Sequence, residues 1–277
     1  MTAETENLII VPRRHFGRII GAALVCIALA AIVRAFAVGQ IEWNYVAEFL
    51  TVPAILTGLV NTIVMAILAM LLGIALGVVF AVMRLSANPV LSKTAIGYIW
   101  FFRAVPALLQ LLLWFNLALV FPTIGIPGLV SFKTVDVMTP FVAALLGLGI
   151  QQGAFTAEVV RAGLLSVDNG QYEAAQTLGM TRLQLLRRII MPQAMRVIVP
   201  PIGNEFIGMV KLTSLASVIQ FAEILHSAQN IYYANSRVIE LLIVAAIWYI
   251  VVVTILSLIQ GRIEAYYARG VAAPAQR

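Results

Sequence analysis

Long apolar runs recur along the 277-residue chain, and they constrain its fold more than any other feature. A bilayer core about 30 Å thick requires roughly 20 consecutive apolar residues in a helix, because each residue advances about 1.5 Å. The chain contains six runs of this kind, at residues 16–38, 54–83, 95–121, 139–165, 194–221 and 238–261. They predict an all-α polytopic membrane protein.

The composition supports this class and excludes others. Only 11% of the residues are charged, 62% are hydrophobic, and the mean hydropathy is +0.99, so the chain lacks the charged surface of a soluble protein. Outer-membrane barrels use strands of about 10 residues with alternating polarity, which these unbroken runs do not match. The net charge of +6 fits the positive-inside bias of membrane proteins, and no nucleic-acid partner is expected.

The distribution of basic residues predicts an orientation. Arginines and lysines precede the first run, flank the loop at 84–94, follow the fourth run through 161–196, and close the chain after residue 261. Because cytoplasmic loops are enriched in these residues, the sequence predicts six spans with both termini in the cytoplasm.

The N-terminus has two interpretations. The stretch PRRHFGR before the first run is similar to a twin-arginine signal, with Ala35-Phe36-Ala37 as a cleavage site. However, the run is long for a signal peptide, five more follow it, and Arg34 adjoins the cut. A retained first helix is therefore favoured.

Two runs contain residues that disfavour a regular membrane helix. The third includes Arg103 and Pro106, and the fifth includes Pro200, Pro201 and Lys211. Proline removes a backbone donor, and ionisable groups inside a membrane are expensive and usually functional. Kinked or broken helices beside a polar region are expected.

The polar residues of these runs form a tentative solute path. Asn204 and Lys211 share a face of an unbroken helix, and Glu205 lies on the adjoining face. Arg103 and Gln151 add a guanidinium group and an amide from other runs. Lys211 or Arg103 can bind a solute carboxylate, and Glu205 an ammonium. The alternative is a buried structural ion pair or a side chain that snorkels to the interface.

Three further patterns are local. Gly73 and Gly77 form a GxxxG spacing, which lets helix backbones approach closely either in a dimer or within one bundle. The loop at 122–138 alternates apolar and polar residues and predicts a short hairpin. Glu158 and Arg161 are spaced for an ion pair on one helix.

A polar stretch separates the fourth and fifth runs and predicts two short helices. Asp168 is a candidate N-cap for the first, and Gly179 suits a left-handed C-cap. Thr181 and Gln184 have the spacing of a capping box that begins the second helix. Pro192 is expected to end this helix before the next run.

The first of these helices is slim on one side. Ala174 and Ala175 present small side chains, and Glu173 adds a charge near its start. A helix that lies on lipid needs bulky apolar residues along one face, which residues 171–179 largely lack. Docking into a groove of another protein fits better.

This stretch resembles the EAA loop of ABC importer permeases. In that family Glu-Ala-Ala is followed after three residues by Gly, and later by Ile-x-Leu-Pro. The matching residues are Glu173, Ala174, Ala175, Gly179, Ile189, Met191 and Pro192, with Met191 in place of Leu. Stretches such as GAFTAEVVRAG, MPQAMRV and AQNIYYANSR resemble the polar amino-acid branch, which imports histidine, glutamine, glutamate, arginine or opines.

The resemblance covers residues 54–265 and implies the organisation of the chain. It implies a type I ABC importer transmembrane domain with a five-helix core and one extra N-terminal helix. Residues 1–53 would hold the N-terminus, first helix and external link, 54–265 the permease domain with its coupling loop at 168–192, and 266–277 a cytoplasmic tail. Departures from the family at Ala104-Val105 and Leu212 leave the solute open.

The resemblance also implies a function and partners. The chain would be an inner-membrane bacterial permease subunit that passes a polar or charged amino acid. Its partners would be two ATP-binding subunits, a second permease of the same or a homologous sequence, an extracytoplasmic solute-binding protein and membrane lipid. Glu173, Ala174, Ala175 and Gly179 would couple it to the ATPase. Alternatives are a permease for another small polar solute, such as an opine or amino-acid derivative, and a secondary transporter that needs no ATPase.

No enzymatic activity is expected of this subunit. The sequence contains no phosphate-binding loop and no cluster of cysteine and histidine residues, and hydrolysis would belong to the ATPase. No cofactor or metal site is expected.

Overall fold

A computed structural model describes residues 16–126 and 130–268. It divides into two compact units, at residues 1–43 and 44–277. The first unit contains helix α1 (Phe16–Val38), which carries apolar residues on all sides, as a helix surrounded by lipid does. The basic residues expected before Phe16 and the tail after Ala268 lie outside the described residues.

The second unit is a bundle of long helices joined by short elements. In chain order they are α2 (Trp43–Phe49), α3 (Pro53–Arg84), α4 (Pro89–Ala104), α5 (Ala107–Phe115), α6 (Thr134–Val137), α7 (Pro140–Leu165), α8 (Asn169–Thr177), α9 (Arg182–Leu185), α10 (Met191–Leu212), α11 (Ile224–Asn235) and α12 (Val238–Tyr267). Strands β1 (Thr123–Ile126) and β2 (Val130–Lys133) form the antiparallel hairpin that the loop pattern predicts.

Five helical stretches of the described residues are long and apolar enough to cross a membrane, which agrees with five of the six predicted spans. The third predicted span corresponds to α4 and α5, a pair bent by 101° that is either a broken span or a re-entrant loop. The bend falls at Val105 and Pro106, where a break is expected because proline cannot continue the backbone hydrogen bonds. Gln110 Nε2 donates to the oxygens of Phe102 and Val105, at 3.1 and 2.9 Å, and so satisfies carbonyls that the bend releases.

The structure shows no break at the prolines before and within the fifth span. Helix α10 continues through Pro200 and Pro201, and it becomes a 3₁₀ helix only at Thr213–Ile219. Pro192 does not end the preceding helix either, because a π-helical turn at Leu186–Ile190 joins α9 to α10. In that wider turn the Met191 N–H donates to Leu186 five residues earlier, and the chain remains helical from residue 182 to 219.

The most extensive helix contact in the bundle joins α3 to α7. A Cβ atom at Gly73 would lie 2.5 Å from Gln152 Cγ, and one at Gly77 would lie 2.6 Å from Thr156 Cβ. Real Cβ atoms do not approach so closely, so only glycine permits this contact. The GxxxG spacing therefore serves packing within the bundle, one of the two alternatives that the sequence leaves open.

The end of the bundle that carries α11 is held by a buried carboxylate. Glu223 accepts hydrogen bonds from the Leu225 N–H, the His226 N–H and the Tyr249 hydroxyl, at 2.8, 2.7 and 2.7 Å. Burial raises the pKa of Glu223, and these three hydrogen bonds oppose the rise. One side chain thus caps α11 and fixes it to α12.

The glycine contact predicts a selective loss of stability. Gly77→Ala should lower the thermal unfolding midpoint of the purified protein, because overpacking costs about 1–3 kcal/mol. The matched control is Gly97→Ala, since no heavy atom lies within 4 Å of a Cβ at Gly97. Unfolding in detergent, followed by size-exclusion chromatography, measures both, and equal midpoints for the two variants would contradict the packing account.

Candidate functional site

Helix α8 and the turn after it form the structured loop that the sequence predicts. The Asp168 carboxylate accepts from the Gly170 N–H at 2.7 Å, and Gly179 takes the left-handed conformation with φ of 68°. Thr181 and Gln184 form both hydrogen bonds of the capping box. The predicted caps of both helices are thus confirmed.

The two alanines of α8 do not lie on the same surface. Glu173, Ala174 and Gly179 are exposed, whereas Ala175 is only 1% exposed and faces the interior of the chain. The expectation that Ala174 and Ala175 form one docking surface is therefore wrong in its geometry. The exposed surface of the loop is narrower than the motif suggests.

The loop is firmly joined to the spanning helices. Ile190 is buried among Ala81 of α3, Val160 of α7, and Ala194 and Ile198 of α10. Leu185 and Ile189 pack against this cluster, while Leu183 and Leu186 are largely exposed. A displacement of the loop therefore presses on three spanning helices at once.

Glu205 of α10 lies at the centre of a polar cluster within the bundle. Its Oε2 accepts from Gln152 Nε2 at 2.7 Å and from the Thr156 hydroxyl at 3.2 Å. Arg103 lies within electrostatic range of this carboxylate, and its guanidinium carbon is 5.3 Å from the centre of the Phe155 ring. A cation, an anion and amide groups thus converge from α4, α7 and α10.

A groove of about 480 Å³ opens beside this cluster. Its lining includes Arg84, Trp100, Arg103, Phe155 and Glu158. Glu158 accepts from Arg161 at 2.7 Å, which confirms the predicted ion pair. The groove combines cations with aromatic faces.

The structure does not bring the other predicted path residues together. The Asn204 side chain faces α12, where its Nδ2 donates to Glu264 Oε1 at 2.8 Å. Lys211 is exposed one residue before α10 ends, and it does not join Glu205. Gln151 Nε2 reaches the Val105 oxygen at 3.4 Å, beside the bend. Of the predicted path residues, only Arg103 lies within electrostatic range of Glu205, without a direct ion pair between them.

Two polar side chains of the bundle, Thr156 and Glu223, are not singled out by the sequence patterns. Thr156 lies four residues after Gln152, and this spacing places both on the helix face that meets Glu205. Glu223 follows an irregular segment in which Gln220 takes a left-handed conformation, so its burial has no local sequence signal. The first could have been found from helical spacing and the second could not.

Comparison with known proteins identifies the family. Residues 73–268 match the family model described as the inner membrane component of binding-protein-dependent transport systems. The chain belongs to this family. It is thus a multi-pass inner-membrane transport component, not a catalytic subunit.

Named relatives extend over most of the chain. The arginine transport system permease protein ArgU of Corynebacterium glutamicum is 37% identical to this chain. The alignment covers 97% of this chain and 86% of ArgU. The L-cystine transport system permease protein TcyB of Bacillus subtilis is 36% identical, in an alignment that covers 84% of this chain and 94% of TcyB.

Solved structures share the fold of this family. The crystal structure of an amino acid ABC transporter with histidines has a TM-score of 0.67 and is 35% identical in sequence. The match covers 77% of this chain and 94% of that transporter's chain. A methionine ABC transporter in an inward-facing conformation has a TM-score of 0.59 and 20% identity over 80% of this chain and 97% of its own, a likeness of fold alone.

The inward position of Ala175 predicts that two adjacent alanines differ in their effect on folding. Ala175→Asp should destabilise the purified subunit by on the order of 3 kcal/mol, because a carboxylate in this buried site loses its solvation. Ala174→Asp is the matched control and should leave the unfolding midpoint close to that of the wild type. If Ala175→Asp were as stable as the control, Ala175 would not be buried in the free subunit.

Proposed function

We propose that this chain is the permease subunit of an ATP-driven importer that carries a polar or charged amino acid into the cell. Its family membership and the amino-acid transporters among its relatives support this solute class. The polar cluster adds a physical argument, because Arg103 suits a carboxylate and Glu205 suits an ammonium group. The alternative within the same class is an importer of another small polar solute.

The coupling surface is proposed to consist of Glu173, Ala174 and Gly179. These residues are exposed on a capped helix that is packed against the spanning helices, as a part that transmits force from a separate ATPase must be. Ala175 contributes differently, because its buried side chain positions α8. Partner ATP-binding subunits supply the hydrolysis.

The solute site is proposed to lie in the groove beside Arg103, Phe155 and Glu205. The aromatic ring positions the guanidinium group, and Gln152 with Thr156 holds the carboxylate. A zwitterion placed in this groove would meet the Arg103 guanidinium group, with the Glu205 carboxylate in the adjoining polar cluster. Asn204 and Lys211 are not included in this site.

The remaining partners and the orientation are part of the same proposal, which the family membership and the charge distribution support. A second permease subunit completes the path, and an extracytoplasmic binding protein delivers the solute. Both termini and helix α8 lie in the cytoplasm, as the positive-inside bias favours.

The coupling proposal predicts loss of transport without loss of folding. Ala174→Asp should abolish solute uptake and the stimulation of ATP hydrolysis by loaded binding protein, because the added charge meets the docking groove of the ATPase. Measurements use the assembled transporter in proteoliposomes. Ala87→Asp, an exposed alanine in the loop before α4, is the matched control and should transport normally. Normal coupled transport by Ala174→Asp would exclude this helix as the docking surface.

The solute site predicts a defect in transport rather than in coupling. Arg103→Gln and Glu205→Gln should each reduce uptake at least about tenfold, because each removes a charged partner worth about 1.5–3 kcal/mol. Binding protein affinity should not change, and Lys93→Gln on the exposed side of α4 should transport normally. Wild-type uptake by both variants, with verified assembly, would place the solute elsewhere.

A further inference from the structure

A second groove lies between the ends of α10 and α12, far along α10 from Lys211. It has a volume of about 380 Å³ and is lined by Pro192, Met195, Arg196, Tyr266 and Tyr267. Neither the coupling surface nor the solute site uses these residues. The groove therefore requires its own explanation.

The walls of this groove are held in place by a network one turn further into the bundle. Gln260 Nε2 donates to the Pro200 oxygen at 2.8 Å and to Glu264 Oε1 at 2.9 Å. Asn204 Nδ2 donates to the same Glu264 oxygen at 2.8 Å. Gly203 leaves the space that the Gln260 amide fills. This network joins α10 to α12 directly beside the groove.

The charge in the groove is positive and is not neutralised by the protein. Arg196 is exposed, and among the described residues it forms no ion pair. Glu264 already accepts hydrogen bonds from two amides. Arg262, also exposed, lies one turn before Tyr266 on α12. An arginine in this setting suits a phosphate oxygen, because the guanidinium group offers parallel N–H donors.

The rings beside Arg196 mark the level of a membrane interface. Tyr266 and Tyr267 are in edge contact, with ring centres 5.3 Å apart. Tyrosine is enriched where the headgroups begin, since its ring is apolar and its hydroxyl is polar. A pair of tyrosine rings beside an arginine suits the depth at which the headgroups begin.

The exposed face of α12 reproduces the polarity of a phospholipid. Ile255, Ile259, Arg262 and Tyr266 follow one another at spacings of four, three and four residues, so they form one stripe along the helix. The two isoleucines are 54% and 50% exposed. An acyl chain would lie along them, and its headgroup would reach the arginines and tyrosines.

We propose that this groove binds the phosphate of an anionic phospholipid, with Arg196 as the principal ligand and Tyr266 and Tyr267 at its rim. Basic pockets between spanning helices on the cytoplasmic side are suited to such headgroups. In the orientation proposed above, the lipid comes from the cytoplasmic leaflet.

The test measures lipid retention by the assembled transporter. The complex is purified in detergent, mixed with equal amounts of phosphatidylglycerol and phosphatidylcholine, and bound lipids are counted by native mass spectrometry. The wild type should retain phosphatidylglycerol preferentially, and Arg196→Gln should weaken this retention about tenfold, the loss of one charge-assisted contact. Arg196→Lys, which keeps the charge, should retain an intermediate amount.

Controls distinguish a lipid site from a free-anion site and from a protein interface. Lys93→Gln, an exposed cation on the same side of the bundle, should retain phosphatidylglycerol as the wild type does. Equal retention by Arg196→Gln and the wild type would overturn the proposal. So would displacement of the lipid by inorganic phosphate at equal concentration, which would indicate a free-anion site. Loss of the ATPase subunits from Arg196→Gln before any lipid is added would likewise overturn it, since the groove would then be a protein interface.

Discussion

The contact between α3 and α7 is the constraint on which the polar centre of the bundle depends. Glycine at positions 73 and 77 lets the two helices approach until Gln152 and Thr156 lie directly against α3. These two side chains then hold the carboxylate of Glu205 from the adjacent helix. A charged group inside a membrane is costly unless it is paired or hydrogen-bonded. The two side chains that close packing places against α3 thus also make an ionisable residue of α10 tolerable.

A similar arrangement holds the end of the bundle that carries α11. Glu223 is fully buried, yet two backbone N–H groups and the Tyr249 hydroxyl satisfy its oxygens. The Thr62 hydroxyl of α3 accepts a hydrogen bond from the Ile224 N–H, and the Asn61 side chain donates one to the Ala222 carbonyl. These bonds replace water for a segment that has left the regular helical ladder. The irregular backbone after α10 is therefore satisfied by side chains of α3 and α12.

Much of this architecture can be predicted from the sequence, for reasons that are local. The spans follow from hydropathy, and the caps at Asp168, Gly179 and Thr181 follow from side-chain chemistry within three residues. The polar centre is harder to predict, because it depends on which faces of different helices meet. The bend at Pro106 and the contact of Asn204 with Glu264 rearrange residues that spacing alone would group. Local patterns cannot specify such relations between helices.

The continuity of the chain through Pro192 explains how the loop can act on the polar centre. Had proline ended the helix, a flexible joint would separate the loop from α10 and absorb its movement. Instead the π-helical turn keeps the chain helical up to Pro192, which has no backbone N–H. Ile190 within this turn is buried against α3, α7 and α10. From Met191 to Glu205 is about 21 Å of helix at about 1.5 Å per residue. Because the chain stays helical from Arg182 onward, a shift of α9 is expected to reach the Glu205 carboxylate without a break in the helix.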